Sequence, residues 1–340
     1  ALIGMLAYNV LFAYNGPDDN ALDGSNQFIL LLGGAIAAIM GYFTKVPFHK
    51  MLDEVANNIK STASAILILL MVGALAGTWM VSGIIPSMIY YGLQILSPAV
   101  FLPATLIICS VISIATGSSW TTSATVGIAL IGIGGALGFD LGMVAGAVIS
   151  GAYFGDKLSP MSDTTNLAPA MAGTDLFTHI KYMTLTTIPT YIITLILFII
   201  LGLSIEVKGD VNTNELLTAI TTSFNVSGWL FLVPVIVIGL IVKKTEPLVA
   251  LLVGTLLAGI FAVIFQPQII NQIAGVETMD FKSAYKGVMD AITSKVVVPT
   301  ENKTLADLFT SGGMAKMLPT IWLILCAMVF GGIMDAIGAL

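Results

Sequence analysis

Between Lys60 and Asp140 the chain runs for 79 residues, 61–139, without one Asp, Glu, Lys or Arg side chain. An average soluble domain would place roughly twenty charges in such a length. No water-facing surface can be built from this stretch. An apolar helix needs about 20 residues to cross a bilayer, and the stretch holds three candidate spans, at 61–85, 98–116 and 122–139. These hydrophobic runs predict an all-α, polytopic transmembrane helix bundle.

The same pattern continues on both sides. Further candidate spans lie at 1–14, 27–43, 141–155, 178–205, 227–243, 246–265 and 318–340, and the whole chain is 57% hydrophobic with a mean hydropathy of +0.98. Residues 122–139 and 141–155 are short and separated only by Gly138, Phe139 and Asp140, so they read equally well as a re-entrant pair. Pro189 predicts a kink in the run 178–205, since an internal proline removes a helix hydrogen bond. The segments 46–60 and 281–293 show apolar residues at helical spacing among charges and read as amphipathic interfacial helices or as ordinary loop helices.

Charge sets the orientation and limits the ligands. Lys45, Lys50 and Lys60 lie in one connection, whereas the connections 15–26 and 86–97 carry no lysine, so 44–60 is expected in the cytoplasm. The net charge of −6 leaves no basic surface for nucleic acid. All 13 basic residues are lysine, so no guanidinium fork is present to clamp a carboxylate or phosphate. Cys109 and Cys326 each sit inside an apolar run and imply no disulfide framework. Two histidines and two cysteines supply neither a zinc-ligand spacing nor a Ser-His-Asp arrangement, and no enzymatic activity or resident cofactor is expected. Both ends fall inside apolar runs, and the chain is taken as a fragment.

An internal echo gives the bundle a plan. Ile66–Ile85 aligns with Ile321–Leu340 at an offset of 255, pairing Ile66 with Ile321, Leu70 with Leu325, Gly77 with Gly332 and Gly83 with Gly338. Two spans and a polar helix precede each copy. An odd number of elements separates the copies, so they cross the membrane in opposite directions. The expected organisation is a first transmembrane repeat over 1–206 carrying a polar, broken-helix site. A partial second, inverted repeat covers 207–340, with its C-terminal part missing. Inverted repeats with broken helices at their interface are a recurrent plan of secondary transporters.

Two polar clusters interrupt the apolar runs. Thr116 to Ser123 packs six hydroxyls and Gly117 into eight residues, and Ala145–Ala170 runs from glycine-spaced apolar helix into Asp156, Lys157, Ser159, Pro160, Ser162, Asp163, Thr164, Thr165 and Asn166. Pro160 argues against a continuous helix from Gly155 to Thr165. Within a bilayer, irregular backbone is tolerated only where protein or a watery cavity surrounds it. Hard cations such as Na⁺ prefer carboxylate, hydroxyl and carbonyl oxygen. The candidate ion-binding set is therefore Asp163, Asp156, Ser118, Ser119, Thr122, Thr164, Thr165 and Asn166, with Asp163, Asp156 and Asn166 as the first Na⁺ ligands. Asp335 in the last apolar run is a further candidate. Half-helix N-termini near Ser123 and Asn166 would instead receive an anion. The competing reading makes 156–166 a cytoplasmic turn whose aspartates cap helices, and lets the hydroxyls bond only neighbouring carbonyls.

These residues carry a family resemblance. GSSWTTSATVG at 117–127, AGAVISGAYFGDKLSPMSDTTNLAPA at 145–170 and GTWMVSGIIP at 77–86 resemble the NhaC family of Na⁺/H⁺ antiporters. The resemblance implies a secondary antiporter of the cytoplasmic membrane that exchanges Na⁺ for H⁺. The alternative is Na⁺-coupled exchange of small carboxylates such as malate or lactate, because the family contains both. The expected partners are Na⁺, H⁺ and the lipid bilayer, with small carboxylates in the alternative; a homo-oligomer is left open. A desolvated aspartate favours its proton and a bound Na⁺ favours its ionised form, so the two ions compete for one carboxylate. Asp163 is expected to be that shared group, with Asp156 assisting.

Overall fold

The structure is a computed structural model describing residues 2–14, 24–95, 97–159, 162, 165, 168–169, 174–204, 213–243, 245–299 and 309–339. It is a multi-pass transmembrane helix bundle whose only described strands are the short antiparallel pair β1 (Val296–Val297) and β2 (Thr310–Ser311). Among the described residues, Ser25–Phe43, Phe48–Val81, Leu176–Ser204, Pro247–Phe265 and Met314–Ala336 are long and apolar enough to cross a bilayer. Leu217–Ser223 and Gly228–Ile241, bent by 86° at a short break, are together long and apolar enough for a broken span or a re-entrant loop.

The chain divides into two compact units. One comprises Ala1–Gly73 and Met314–Leu340; the other is Ala74–Gly313. This partition cuts across a division at 206 and 207, because compactness follows packing whereas a repeat follows sequence order.

In the first unit, α1 (Leu2–Tyr8, continued as a π-turn over Asn9–Ala13) precedes α2 (Ser25–Phe43). The N-terminal part of α3 (Phe48–Val81) and the last helix, α15 (Leu318–Ala336), complete it. Segments 46–60 and 61–85 are not separate elements: α3 is one helix through both. Asp53, Glu54 and Lys60 interrupt the hydropathy but not the helical period. Met51 and Val55 from the polar end of α3 are buried with Ala37, Ile333 and Ala336. At Gly332 a Cβ would lie 2.6 Å from the Val55 backbone, so α15 crosses α3 with almost nothing between the two backbones.

In the second unit, α3 ends at Val81 and α4 (Ile84–Ile95) follows directly. Residues 86–97, taken from sequence as a connection, are thus helical as far as Ile95. Pro86 sits in the first turn, where proline costs no hydrogen bond. Next come α5 (Pro98–Thr116), the single turn α6 (Ser119–Thr122), a π-turn over Ser123–Gly127, α7 (Ile128–Ala136) and α8 (Leu141–Leu158). Asp140 starts α8 by accepting from Met143 N at 3.0 Å. The long α9 (Leu176–Ser204) packs on α5 and α8 and continues through Pro189. Then follow α10 (Thr213–Ser223), α11 (Leu232–Val242), α12 (Pro247–Phe265), α13 (Pro267–Ala274) and α14 (Phe281–Thr293). The amphipathic segment 281–293 coincides with α14, which opens on a reciprocal cap between Asp280 and Ser283.

The 255-residue offset reappears in backbone detail. Ser82 N bonds Thr78 O and Gly83 N bonds Met80 O; Ile337 N bonds Ile333 O and Gly338 N bonds Asp335 O. Gly83 and Gly338 take φ of 80° and 71°, a left-handed conformation that glycine adopts without a Cβ penalty. The packing corresponds as well. A Cβ on Gly77 would strike Ala291 O of α14, as one on Gly332 would strike Val55 of α3's polar end. A Cβ on Gly254 of α12 would lie 3.0 Å from Leu75, and one on Gly33 of α2 would lie 3.3 Å from Phe330. Each unit holds one copy of the same arrangement.

Candidate functional site

The polar clusters meet at the junction of α5 and α8. α8 presents Gly151 and Gly155 to α5, and a Cβ at Gly155 would lie 2.5 Å from Ser110 O and 2.7 Å from Ile114 N. Small residues on both sides allow backbones to approach this closely. Ser113 donates to Ala152 O across the interface, and Ser159 donates to Ile114 O at 2.7 Å. These bonds hold the end of α8 to the end of α5. α5 stops at Thr116, where Gly117 takes a left-handed φ of 68° and turns the chain into α6.

This geometry brings Asp156 to the Thr116–Ser123 cluster. Asp156 belongs to α8, which runs to Leu158, three residues beyond the span 141–155 and ahead of Pro160, and its Oδ2 accepts a 2.8 Å hydrogen bond from Ser119 Oγ. Ser119 is buried and Asp156 half-buried. Thr122, fully buried, donates to Ser118 O at 2.9 Å. Thr165 donates to the Asp156 and Lys157 carbonyls at 3.1 and 3.2 Å, and with Ser159 N, which also reaches Asp156 O, caps the α8 C-terminus. Thr165 N in turn donates to Ser162 Oγ at 3.4 Å.

Of the residues singled out from sequence, Asp156, Ser118, Ser119, Thr122 and Thr165 are thus gathered around two helix ends. Asp163, Thr164 and Asn166 lie outside the described residues. Asp335 belongs to the other compact unit, is exposed at the end of α15, and accepts from Asn58 Nδ2 at 3.2 Å. Ser113, Ser159 and Ser162 are buried parts of the junction that sequence reasoning did not select. The pairing of Gly151 and Gly155 with Ser110 and Ser113 is the signal that was present: two small-residue patterns at helical spacing.

Among the described residues, the arrangement is chemically one carboxylate, Asp156, among neutral oxygens. Among the described residues, no three His, Cys, Asp or Glu side chains gather to hold a metal ion. A cation beside Asp156 would draw its other ligands from hydroxyls and carbonyls, a set that suits a hard, weakly held ion. Deprotonated, the Asp156 carboxylate only accepts, as it does from Ser119; a protonated carboxyl gains one O–H donor while its other oxygen still accepts.

The model of the Na⁺/H⁺ antiporter family matches residues 151–340, taking in Asp156 and Thr165. The chain belongs to that family. It is similar to the malate-2H⁺/Na⁺-lactate antiporter of Bacillus subtilis, at 38% identity over 322 residues, covering 94% of this chain and 65% of that protein. It is also similar to the Na⁺/H⁺ antiporter NhaC of Alkalihalophilus pseudofirmus, at 36% over 308 residues, 90% of this chain and 63% of the relative. The arginine/ornithine antiporter ArcD of Halobacterium salinarum is 33% identical over 319 residues, 92% and 63% respectively. This antiporter-family chain therefore spans less than two thirds of the length of these relatives. No solved structure matches it.

Proposed function

We propose that the protein to which this chain belongs is a secondary antiporter of the cytoplasmic membrane that exchanges Na⁺ for H⁺. The observation that carries this reading is the 2.8 Å bond from Ser119 to Asp156 at a junction of broken helices, in a chain of the Na⁺/H⁺ antiporter family. Proton and Na⁺ compete for the Asp156 carboxylate: the proton neutralises it, whereas Na⁺ holds it ionised and recruits hydroxyl and carbonyl oxygens. Asp163, expected from the sequence to be the shared group with Asp156 assisting, lies outside the described residues and enters this scheme as the second carboxylate. Na⁺ is cargo here and not a resident cofactor.

Exchange also needs the site to face each side of the membrane in turn. The matching helix ends and close glycine crossings at an offset of 255 support an organisation in two inverted repeats, 1–206 and 207 onward, with each compact unit mixing elements from both. Movement of such repeats against each other around a fixed site is the general route to alternating access.

The test uses the full-length protein in sealed liposomes with an interior pH dye, given a Na⁺ pulse. Proton movement on Na⁺ alone, abolished in Asp156→Asn, is the expected result. Wild-type exchange in Asp156→Asn would remove that residue from the mechanism, and Asp163→Asn run alongside tests the second carboxylate. The 38% identity to a malate/lactate antiporter supports a second reading, Na⁺-coupled exchange of small carboxylates. Proton movement that requires added malate or lactate would replace the first reading with the second.

A further inference from the structure

A second polar feature lies on the opposite flank of α8. Ser150, Tyr153 and Lys157 of α8 face Thr187, Thr190 and Thr194 of α9 across an open groove of about 190 Å³. Both sets follow helical spacing, so one continuous face of each helix lines the groove. Phe154 of α8 stacks on Tyr191 of α9 with ring centroids 3.8 Å apart, and Tyr191 OH lies 2.9 Å from Ser110 Oγ of α5. The floor is thus fixed by aromatic stacking and a hydrogen bond.

Among the described residues, the lining is rich in donors and contains no carboxylate. Thr190 and Thr194 donate to carbonyls of their own helix, at Thr186 and Thr190. The side chains of Ser150, Tyr153, Thr187 and Lys157 make no hydrogen bond or ion pair among the described residues, the Thr165 bond at Lys157 going to its backbone carbonyl. Asp156, next to Lys157 in sequence, is turned to Ser119 and does not line the groove. The surface around it is apolar: Ile149, Ile188, Ile192 and Ile196 are each between 41% and 50% exposed. Lys157 is exposed in the last turn of α8, so its ammonium stands at the end of the groove where an anion from water or the headgroup layer reaches it.

We propose that the α8–α9 groove binds a small oxyanion group, a carboxylate or a phosphodiester, with Lys157 supplying the charge and Ser150, Tyr153 and Thr187 the neutral hydrogen bonds. This site is separate from the Asp156 junction. Its volume is below the range of sites for drug-sized ligands, which suits a short organic acid or a lipid headgroup whose acyl chains lie along the exposed isoleucines of α9. The two sources share one chemistry and differ in where the anion comes from.

The test uses the full-length protein with two probes. Lactate is titrated calorimetrically in detergent, and retention of phosphatidylglycerol against phosphatidylcholine is read by native mass spectrometry from nanodiscs of each lipid. Binding of either anion should weaken about tenfold or more in Lys157→Gln, the loss of one charge-assisted hydrogen bond. It should persist in Lys157→Arg and in Lys181→Gln, whose lysine lies on α9 outside the groove. Lactate binding alone identifies a free carboxylate, and selective phosphatidylglycerol retention identifies a headgroup. Binding of neither, or equal binding in Lys157→Gln, overturns the proposal. If Lys157→Gln does not fold, the double variant Ser150→Ala/Thr187→Val must show the weakening instead, and unchanged binding there refutes the site.

Discussion

Replacing Gly155 by alanine tests how the α5–α8 junction holds Asp156 in place. The new Cβ would sit 2.5 Å from Ser110 O and from Ser113 Cβ, and 2.7 Å from Ile114 N. Two of these three atoms are backbone and cannot rotate away. Ordinary contact begins near 3.4 Å, so the helices must part by about 1 Å. Overpacking of this kind costs about 1–3 kcal/mol, and three simultaneous clashes place it near the top of that range. The gain of about 1 kcal/mol in helix propensity offsets part of it, which leaves about 2 kcal/mol of destabilisation. At roughly 2–4 °C per kcal/mol, the apparent unfolding midpoint of the detergent-purified protein should fall by about 4–8 °C. The same 1 Å, added to the 2.8 Å Ser119–Asp156 distance, carries that pair beyond hydrogen-bond reach. Na⁺-driven proton movement in liposomes should therefore fall with stability. Gly146→Ala on the same helix is the control: its Cβ meets only Phe198 Cζ, at 3.9 Å, so its midpoint should equal or exceed that of the parent. Equal midpoints for Gly146→Ala and Gly155→Ala would refute the close approach of α8 to α5 and the geometry of the site with it.

Three further perturbations follow from the same contacts. Ser119→Ala removes a side-chain donor to Asp156 and should weaken Na⁺-driven proton movement about tenfold, consistent with one hydrogen bond to a charged group; an unchanged Na⁺ dependence would show that Ser119 plays no part. Gln266 is buried, accepts from Asn225 N at 3.0 Å, and donates to Asn225 O at 2.9 Å and Ser82 O at 3.4 Å. Gln266→Leu leaves those backbone groups unpaired and should cost about 2–4 kcal/mol, read as a lower unfolding midpoint. The Asp280 carboxyl is held below its ordinary pKa by the Ser283 side-chain and backbone hydrogen bonds, with Lys282 adding a weaker attraction. A depressed folded pKa means that the cap on α14 is intact above the ordinary carboxylate range, near 4, and is lost as pH falls through the lower folded value. Hydrogen-exchange protection at the start of α14, corrected for intrinsic rates, should drop only below about pH 4, and Asp280→Asn should remove that pH dependence while still capping the helix.

Hydropathy located α5, α8, α12 and α15 because each pairs an apolar run with a clear terminator, and α14 because its period survives among charges. It failed where one physical signal masked another. The charges of 53–60 hid the continuity of α3, which is settled by Met51 and Val55 packing beneath α15. Pro86 and Ser87 made 86–97 look like a connection, although both are buried in α4. At the site, the clustering of hydroxyls and aspartates was visible because polar residues are rare in this chain. Their mutual arrangement was not, since the bonds from Ser113 to Ala152 and from Ser159 to Ile114 join residues 39 and 45 apart. No local pattern encodes such a pairing, and Gln266 was missed for the same reason, its partners being 41 and 184 residues away.

The two flanks of α8 divide its chemistry by helical geometry alone. Asp156 and Lys157 are sequence neighbours, and residues one apart on a helix do not face each other. The carboxylate is thereby directed to the hydroxyls of α6, while the ammonium is directed to the groove with α9. An ion pair between them would have lowered the affinity of either group for a mobile ion, because each would already hold an opposite charge. Their separation leaves a negative group for a cation on one side and a positive group for an anion on the other, with Gly151 and Gly155 locking the helix against α5. Any change in ion occupancy that alters the α5–α8 spacing therefore also moves the wall that carries Ser150, Tyr153 and Lys157. Coupling between the flanks is directly measurable: Na⁺ should shift the affinity of the groove for its anion, and the anion should shift the affinity for Na⁺ by the same factor.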